Sequence, residues 1–242
     1  MKIKRRKSKL PKPYYETPLG KLYHGDCLEI MPQLEPVDLV LTDPPYGKGF
    51  DTMKKISVSN KAKVGNYDFS DWNNKPPQPE FFKLIKKNKN QIIFGGNYFV
   101  EWLYNSPCWL VWNKDNTGNF ADCELAWTSF KTATRIIKYR WNGMLKEAPE
   151  KRYHPTQKPA GLFMWILNKY GSENWTTLDT HLGSGTTAIA CERLKRKWIG
   201  IEIEEKYCEI AAKRIEREVK LLDSGFFGRD SCKIKAKQKG FF

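Results

Sequence analysis

Asp43-Pro44-Pro45-Tyr46 places an acid, two prolines and an aromatic ring in four consecutive positions. They follow Val37-Asp38-Leu39-Val40-Leu41-Thr42, a short apolar run with the pattern of a buried strand. The four residues therefore fall at the carboxyl end of a strand, where open α/β sheets bind their ligands. Adjacent prolines remove two backbone donors and restrict φ, so the turn is stiff and its carbonyls are free to face a ligand. A carboxylate, a free carbonyl and a flat ring suit the grip of an exocyclic amine on a planar base.

A second constellation lies 140 residues on, where Thr176-Thr177-Leu178-Asp179 runs into Gly183-Ser184-Gly185-Thr186-Thr187. Lys197 to Glu202 reads as the next strand, so the segment is one βαβ unit with a glycine turn and a terminal acid. Glycines let the backbone approach a ligand closely, and the helix N-terminus offers free N–H groups. Glu202 stands about 20 residues past the glycines, the place of the acid that takes ribose hydroxyls. The turn lacks the full Gly-x-Gly-x-x-Gly spacing of a dinucleotide site, and a Gly-x-Gly turn with hydroxyl residues can equally hold the methionine end of S-adenosylmethionine. By itself the segment names a nucleotide-type ligand without choosing between them.

Taken together, four segments resemble the β-class DNA amino-methyltransferases, which modify adenine N6 or cytosine N4. They are Gly25-Asp26, Asp43 to Tyr46, His154-Pro155-Thr156-Gln157-Lys158-Pro159, and Leu178 to Thr187, in that class's permuted order, with the catalytic motif before the cofactor motif. The likeness extends from about Lys21 to Leu221. It implies S-adenosylmethionine as cofactor, lined by Asp179, Gly183, Ser184, Gly185 and Thr186, with Glu202 on the ribose and Asp26 on the adenine amine. It also implies Lys158 near the carboxylate of the methionine part and Asp43, Pro44, Pro45 and Tyr46 on the target base. Thr180-His181 replaces the family's usual Pro-Phe, and His181 is expected to act as a flat packing group beside the cofactor rather than as a base.

The formal charge of +15, from 42 Lys and Arg against 27 Asp and Glu, favours a polyanion, because each neutralised phosphate releases counterions. Double-stranded DNA is the expected partner. Basic blocks mark both ends of the chain, in an arm over residues 1–20 and a tail over 223–242, flanking a methyltransferase domain at 21–222. The polar segment 47–79 interleaves lysines with aromatics and reads as an active-site and DNA loop, with Lys48, Lys54, Lys55 and Trp72 as contacts. Sequence readout in the family comes from a region that here spans only about residues 114–152, with Arg135 and Arg140 among its candidate contacts. So short a region implies a short site, loose specificity or help from a second subunit, and leaves room for a homodimer.

These groups need a scaffold to hold them. Apolar runs at 21–24, 37–42, 91–94, 109–112, 123–129, 135–139, 176–179 and 197–202 read as strands. Helical spacing is visible at 28–34, 80–87, 160–170, 186–194 and 205–222. The alternation predicts an α/β, doubly wound sheet, and the resemblance implies its Rossmann-like, mostly parallel form of the S-adenosylmethionine-dependent methyltransferase type. Six scattered cysteines without Cys-x-x-Cys spacing argue for reduced thiols and no structural metal. No run is long enough to span a bilayer and no apolar stretch follows the basic N-terminus, so a cytoplasmic, DNA-associated protein is expected.

The resulting expectation is an adenine-N6 DNA methyltransferase. The acid at position 43 favours adenine, since cytosine-N4 relatives more often carry Ser there. Cytosine N4 is the alternative, and a non-catalytic DNA-binding subunit is the alternative from another class. A lone methylase, half of a restriction system and a phage-borne enzyme would share this sequence pattern.

Overall fold

Residues 10–47, 76–115, 121–142, 145–146, 150–153 and 156–225 are described by a computed structural model. In chain order the elements are β1 (Tyr15–Glu16), β2 (Gly20–His24), α1 (Cys27–Ile30), β3 (Leu39–Thr42), α2 (Pro79–Ile85), β4 (Asn90–Phe94), β5 (Trp109–Asn113), β6 (Cys123–Thr128) and β7 (Arg135–Lys138). They continue with β8 (Trp141–Asn142), β9 (Leu145–Lys146), α3 (Ala160–Tyr170), β10 (Thr176–Asp179), α4 (Thr186–Arg193), β11 (Lys197–Glu202) and α5 (Glu205–Asp223).

Nine strands form one sheet in the order β1-β2-β11-β10-β3-β4-β6-β5-β7. The five strands from β2 to β4 are mutually parallel, while β6 runs antiparallel to β4 and to β5. The sheet reverses its winding between β10 and β3: β3 continues through α2 to β4 on one side, and β10 continues through α4 to β11 on the other. Such a switch point opens a crevice at the carboxyl ends of the two strands. The register Thr177 opposite Leu39 and Leu178 opposite Val40 brings Asp43 and the glycine turn to the same end of the sheet.

The sheet is covered on both faces, as its sequence pattern requires. Leu39 and Leu41 join Leu162, Phe163, Ile189, Ala211 and Ile215 on the side of α3, α4 and α5. Val40, Ile93 and Leu178 join Ile30, Phe81, Phe82 and Ile85 on the side of α1 and α2. Continuous apolar runs, rather than alternating ones, are what a sheet buried on two faces needs. Each large apolar side chain so buried contributes about 1.5–3 kcal/mol relative to exposure.

Sequence and structure diverge at a few places. Tyr15 and Glu16 pair antiparallel with Leu22 and Lys21, so the sheet reaches back into residues expected in the basic arm. The Trp141–Asn142 and Leu145–Lys146 strands form a separate two-stranded sheet that no sequence pattern announced. In α5 the stripe of Cys208, Ala211 and Ile215 is buried as spaced, but Arg214 and Glu218 are buried with it. No helix among the described residues is long and apolar enough to cross a membrane.

Candidate active site

One cavity of about 350 Å³ occupies the switch point. Asp43, Pro45, Lys158, Asp179, His181, Gly183, Ser184, Thr186 and Glu202 all line it. The two motifs separated in sequence thus meet in one cleft, stitched at its floor by a 2.8 Å hydrogen bond between the hydroxyls of Thr42 and Thr180.

On the β3 side of the cleft, the Asp43 carboxylate is held by two donors. Tyr46 donates its hydroxyl to Oδ1 at 2.6 Å, and the Lys158 ammonium donates to Oδ2. Lys158 is buried, and its Nζ lies 3.2 Å from the Tyr46 hydroxyl, 3.1 Å from Glu124 Oε2, and 4.7 Å from the centre of the Phe94 ring. Glu124 in turn bonds Lys114 at 2.5 Å. Burial pushes the Asp43 carboxyl above its ordinary value despite Lys158 beside it. Burial would do the same to Glu124, but Lys158 and Lys114 together bring it down to about 2. The buried ammonium thus sits between two carboxylates, and among the described residues Glu124 alone of the two has a second cation.

The Tyr46 ring needs its own space. A Cβ at Gly95 would sit 2.1 Å from Tyr46 Cε1, and Gly95 adopts φ +68, so only glycine serves there. Tyr98 stacks on Tyr46 with ring centres 5.1 Å apart, and Phe99 meets it edge-on at 6.2 Å.

On the β10 side, buried acids are held by neutral donors. Asp179 accepts from the Thr187 hydroxyl at 2.5 Å and the His181 amide at 3.1 Å. Glu202 accepts from the Gly183 amide at 2.7 Å and the Glu204 amide at 2.9 Å. Burial raises Asp179 to about 6 and Glu202 to about 7. Gly183 and Gly185 take φ +54 and +91, and a Cβ on Gly183 would meet nothing within 4 Å, so bare backbone faces open space there. Gly185 packs on α5, where an added Cβ would lie 3.2 Å from Ala211 Cβ. The His181 ring lies edge-on to Phe81 at 5.3 Å, and burial lowers its imidazole to about 4. It is neutral at ordinary pH and packed as a flat group.

A clamp ties the two sides together. Ser184 donates to Gln157 Oε1 at 3.1 Å, Arg214 donates to the Ser184 hydroxyl at 2.8 Å, and Arg214 pairs with Glu150 at 2.8 Å. Glu150 also accepts the Ala160 amide at 3.1 Å, closing the start of α3. The segment that carries Lys158 is thereby fastened to the glycine turn.

Other expected residues lie elsewhere. Asp26 does not line the cavity; its carboxylate accepts the Leu28 amide at 2.8 Å and caps α1. Pro44 is buried beneath the turn. Lys158 does line the cavity, with its ammonium held by Asp43 and Glu124. Arg135 is exposed on β7, and Arg140 pairs with Asp115. Lys48, Lys54, Lys55 and Trp72 lie outside the described residues. Sequence reasoning missed Glu124, Tyr98 and Arg214, and named Gln157 only as part of its motif. For two of them a signal existed: Glu124 is an acid in an otherwise apolar strand, and Arg214 follows Ala211 at helical spacing on the buried stripe.

Residues 76–213 match the profile of the N6/N4 DNA methylase family, which covers more than half of the chain. The type II methyltransferase M2.LlaDCHI of Lactococcus lactis subsp. cremoris is 26% identical over 256 residues, covering 86% of this chain and 93% of that protein. Among solved structures, the M1.HpyAVI–SAM complex is 27% identical with a TM-score of 0.52, covering 81% of this chain and 100% of that one. The PvuII cytosine-N4-specific DNA methyltransferase, 17% identical with a TM-score of 0.57, shares the fold over 88% of this chain and 96% of its own.

Proposed function

Because the chain belongs to the DNA methylase family, we propose that it carries the methyl group of S-adenosylmethionine to the exocyclic N6 of an adenine turned out of duplex DNA. The single observation that carries this reading is that Asp43 and the glycine turn line one cavity. The residues present fit the cofactor. Open backbone at Gly183, a carboxylate at the end of β11 and the neutral ring of His181 suit a nucleoside whose other end is an amino acid. When bound, S-adenosylmethionine supplies a methyl group activated by a sulfonium.

An aromatic amine is a poor nucleophile because its lone pair is delocalised into the ring. The Asp43 carboxylate and the Pro44 carbonyl are assigned as acceptors for its two hydrogens, drawing the nitrogen toward tetrahedral geometry. The gain is orientation and placed charge. Burial lifts Asp43 above the ordinary carboxylate range, which makes it a better proton acceptor than a surface aspartate. Turning a base out of the duplex costs a few kcal/mol. Stacking on Tyr46 returns about 1–3 kcal/mol of this.

The basic arm, the loop at 47–79 and the recognition span at 114–152 are assigned to the DNA backbone, with a homodimer supplying any second recognition surface. Cytosine N4 is the second reading: it offers the same amine, and the PvuII enzyme of the same fold is named for it. Incubation with labelled S-adenosylmethionine and mixed-sequence DNA, followed by digestion to nucleosides, decides between them. Label in N6-methyladenine is the expected result. Label in N4-methylcytosine selects the alternative, and label in neither overturns both.

A further inference from the structure

We infer that Glu124 is a positioning residue: it is the acceptor onto which the Lys158 ammonium withdraws when a target amine takes its place on Asp43. The inference rests on the reading of Asp43 as the amine's acceptor. In the structure both Asp43 oxygens are already engaged, Oδ1 by the Tyr46 hydroxyl and Oδ2 by Lys158. The ammonium thus occupies a donor position that an incoming amine N–H would need. It stands in for the substrate.

A carboxylate can accept more than two hydrogen bonds; in the inferred exchange the incoming amine takes the position on Oδ2 that Lys158 fills at the cavity, so that Lys158 gives up Asp43. A buried ammonium cannot be left without a counter-ion, because the desolvation it has already suffered is repaid only by a nearby negative charge. The rings of Phe94 and Tyr46, 4.7 and 5.7 Å from Nζ, offer weak attraction by comparison. Glu124 Oε2 is already 3.1 Å away, so a small swing of the lysine side chain completes the transfer. Glu124 itself is fixed from behind by Lys114 at 2.5 Å, which keeps it ionised and in place on β6. Lys114 and Glu124 flank one hairpin turn, whereas Asp43 and Lys158 come from two other, distant segments.

The inference separates Glu124 from a residue that only supports the fold. Without Glu124, Asp43 is the carboxylate left to Lys158 among the described residues, and Lys158 holds it, so the amine is excluded. Removing the ammonium as well should relieve that block. The test compares wild type, Glu124→Gln, Lys158→Met and the double variant by kcat and KM on unmethylated mixed-sequence DNA at saturating S-adenosylmethionine, with thermal melting as the check on folding. Glu124→Gln is expected to lose roughly 100-fold in kcat with little change in the KM for S-adenosylmethionine. The double variant should recover at least about tenfold over Glu124→Gln, the non-additivity expected of coupled neighbours. Should Glu124→Gln not fold, Glu124→Asp, which keeps the charge but shortens its reach, must still lower kcat. An unimpaired Glu124 variant, or a double variant no faster than Glu124→Gln, overturns the inference. Wild-type protein that labels neither base overturns the parent reading instead, so the two failures are distinguishable.

Discussion

The two walls of the cleft hold their carboxylates in opposite ways. On the β10 wall, Asp179 and Glu202 are buried among amides and a hydroxyl with no cation paired to them among the described residues, and burial lifts them to about 6 and about 7. On the β3 wall, Asp43 and Glu124 share a buried lysine, and Glu124 falls to about 2. A carboxylate held only by neutral donors keeps lone pairs for hydroxyls that arrive with a ligand. Asp43 is held by a neutral hydroxyl and an ammonium, and in the proposed exchange the ammonium leaves it before an amine takes that place. In the proposed function the first wall binds the cofactor and the second carries a reaction step that begins with an exchange of partners.

Variants of single residues break this contrast at different points. Asp43→Ala strikes the reacting wall alone and should lower kcat on the order of 10³-fold. Calorimetry should find cofactor binding intact in that variant. Gly95→Ala strikes the same wall indirectly. Its Cβ would press on the Tyr46 ring at a position with φ +68, and displacement of that order costs about 10²-fold in turnover. Steady-state kinetics should show kcat falling while the KM for S-adenosylmethionine holds.

Glu202→Gln strikes the other wall. Loss of a charged acceptor for ribose hydroxyls should weaken cofactor binding by about 1.5–3 kcal/mol, read by calorimetry. The pH dependence sharpens the assignment. Ionised Glu202 is the better acceptor, so wild-type affinity should rise as pH climbs through about 7, and the Gln variant should lose that rise. Stability of the free protein moves the other way. A carboxyl whose folded value is raised from 4.5 to about 7 favours the fold at low pH, and this contribution is lost as pH rises through about 7. The displacement corresponds to about 3 kcal/mol. Melting should therefore show a higher midpoint at pH 5 than at pH 8, with a smaller difference in Glu202→Gln. The smallest effect is expected away from both walls. Lys213→Ala removes an exposed pair with Glu209 on α5 and should leave the melting midpoint essentially unchanged.

How much of this was legible in sequence follows from what each feature depends on. The runs 160–170, 176–179 and 197–202 fold as the helix and strands their patterns predict, because a sheet buried on two faces leaves an unbroken apolar signature. The meeting of the Asp43 turn with the glycine turn was legible too, since topology alone sends both to the carboxyl edge of adjacent strands. The ion cluster was not. Glu124 lies 34 residues before Lys158 in sequence, and no short-range spacing connects them; only the antiparallel return of β6 beside β4 brings that strand to the cleft. The same holds for Arg214, whose buried place on Ser184 depends on how α5 packs. For Asp26, motif likeness implied a ligand contact, and in the fold one oxygen of its carboxylate also caps α1.

The most direct measurement is a crystal structure of the wild-type protein with duplex DNA and a cofactor analogue that cannot give up a methyl group. The account predicts the exocyclic nitrogen on Asp43, the analogue along Gly183 and Glu202, and the Lys158 ammonium moved to Glu124. A base bound away from Asp43, or an analogue at the far end of the sheet, would contradict it.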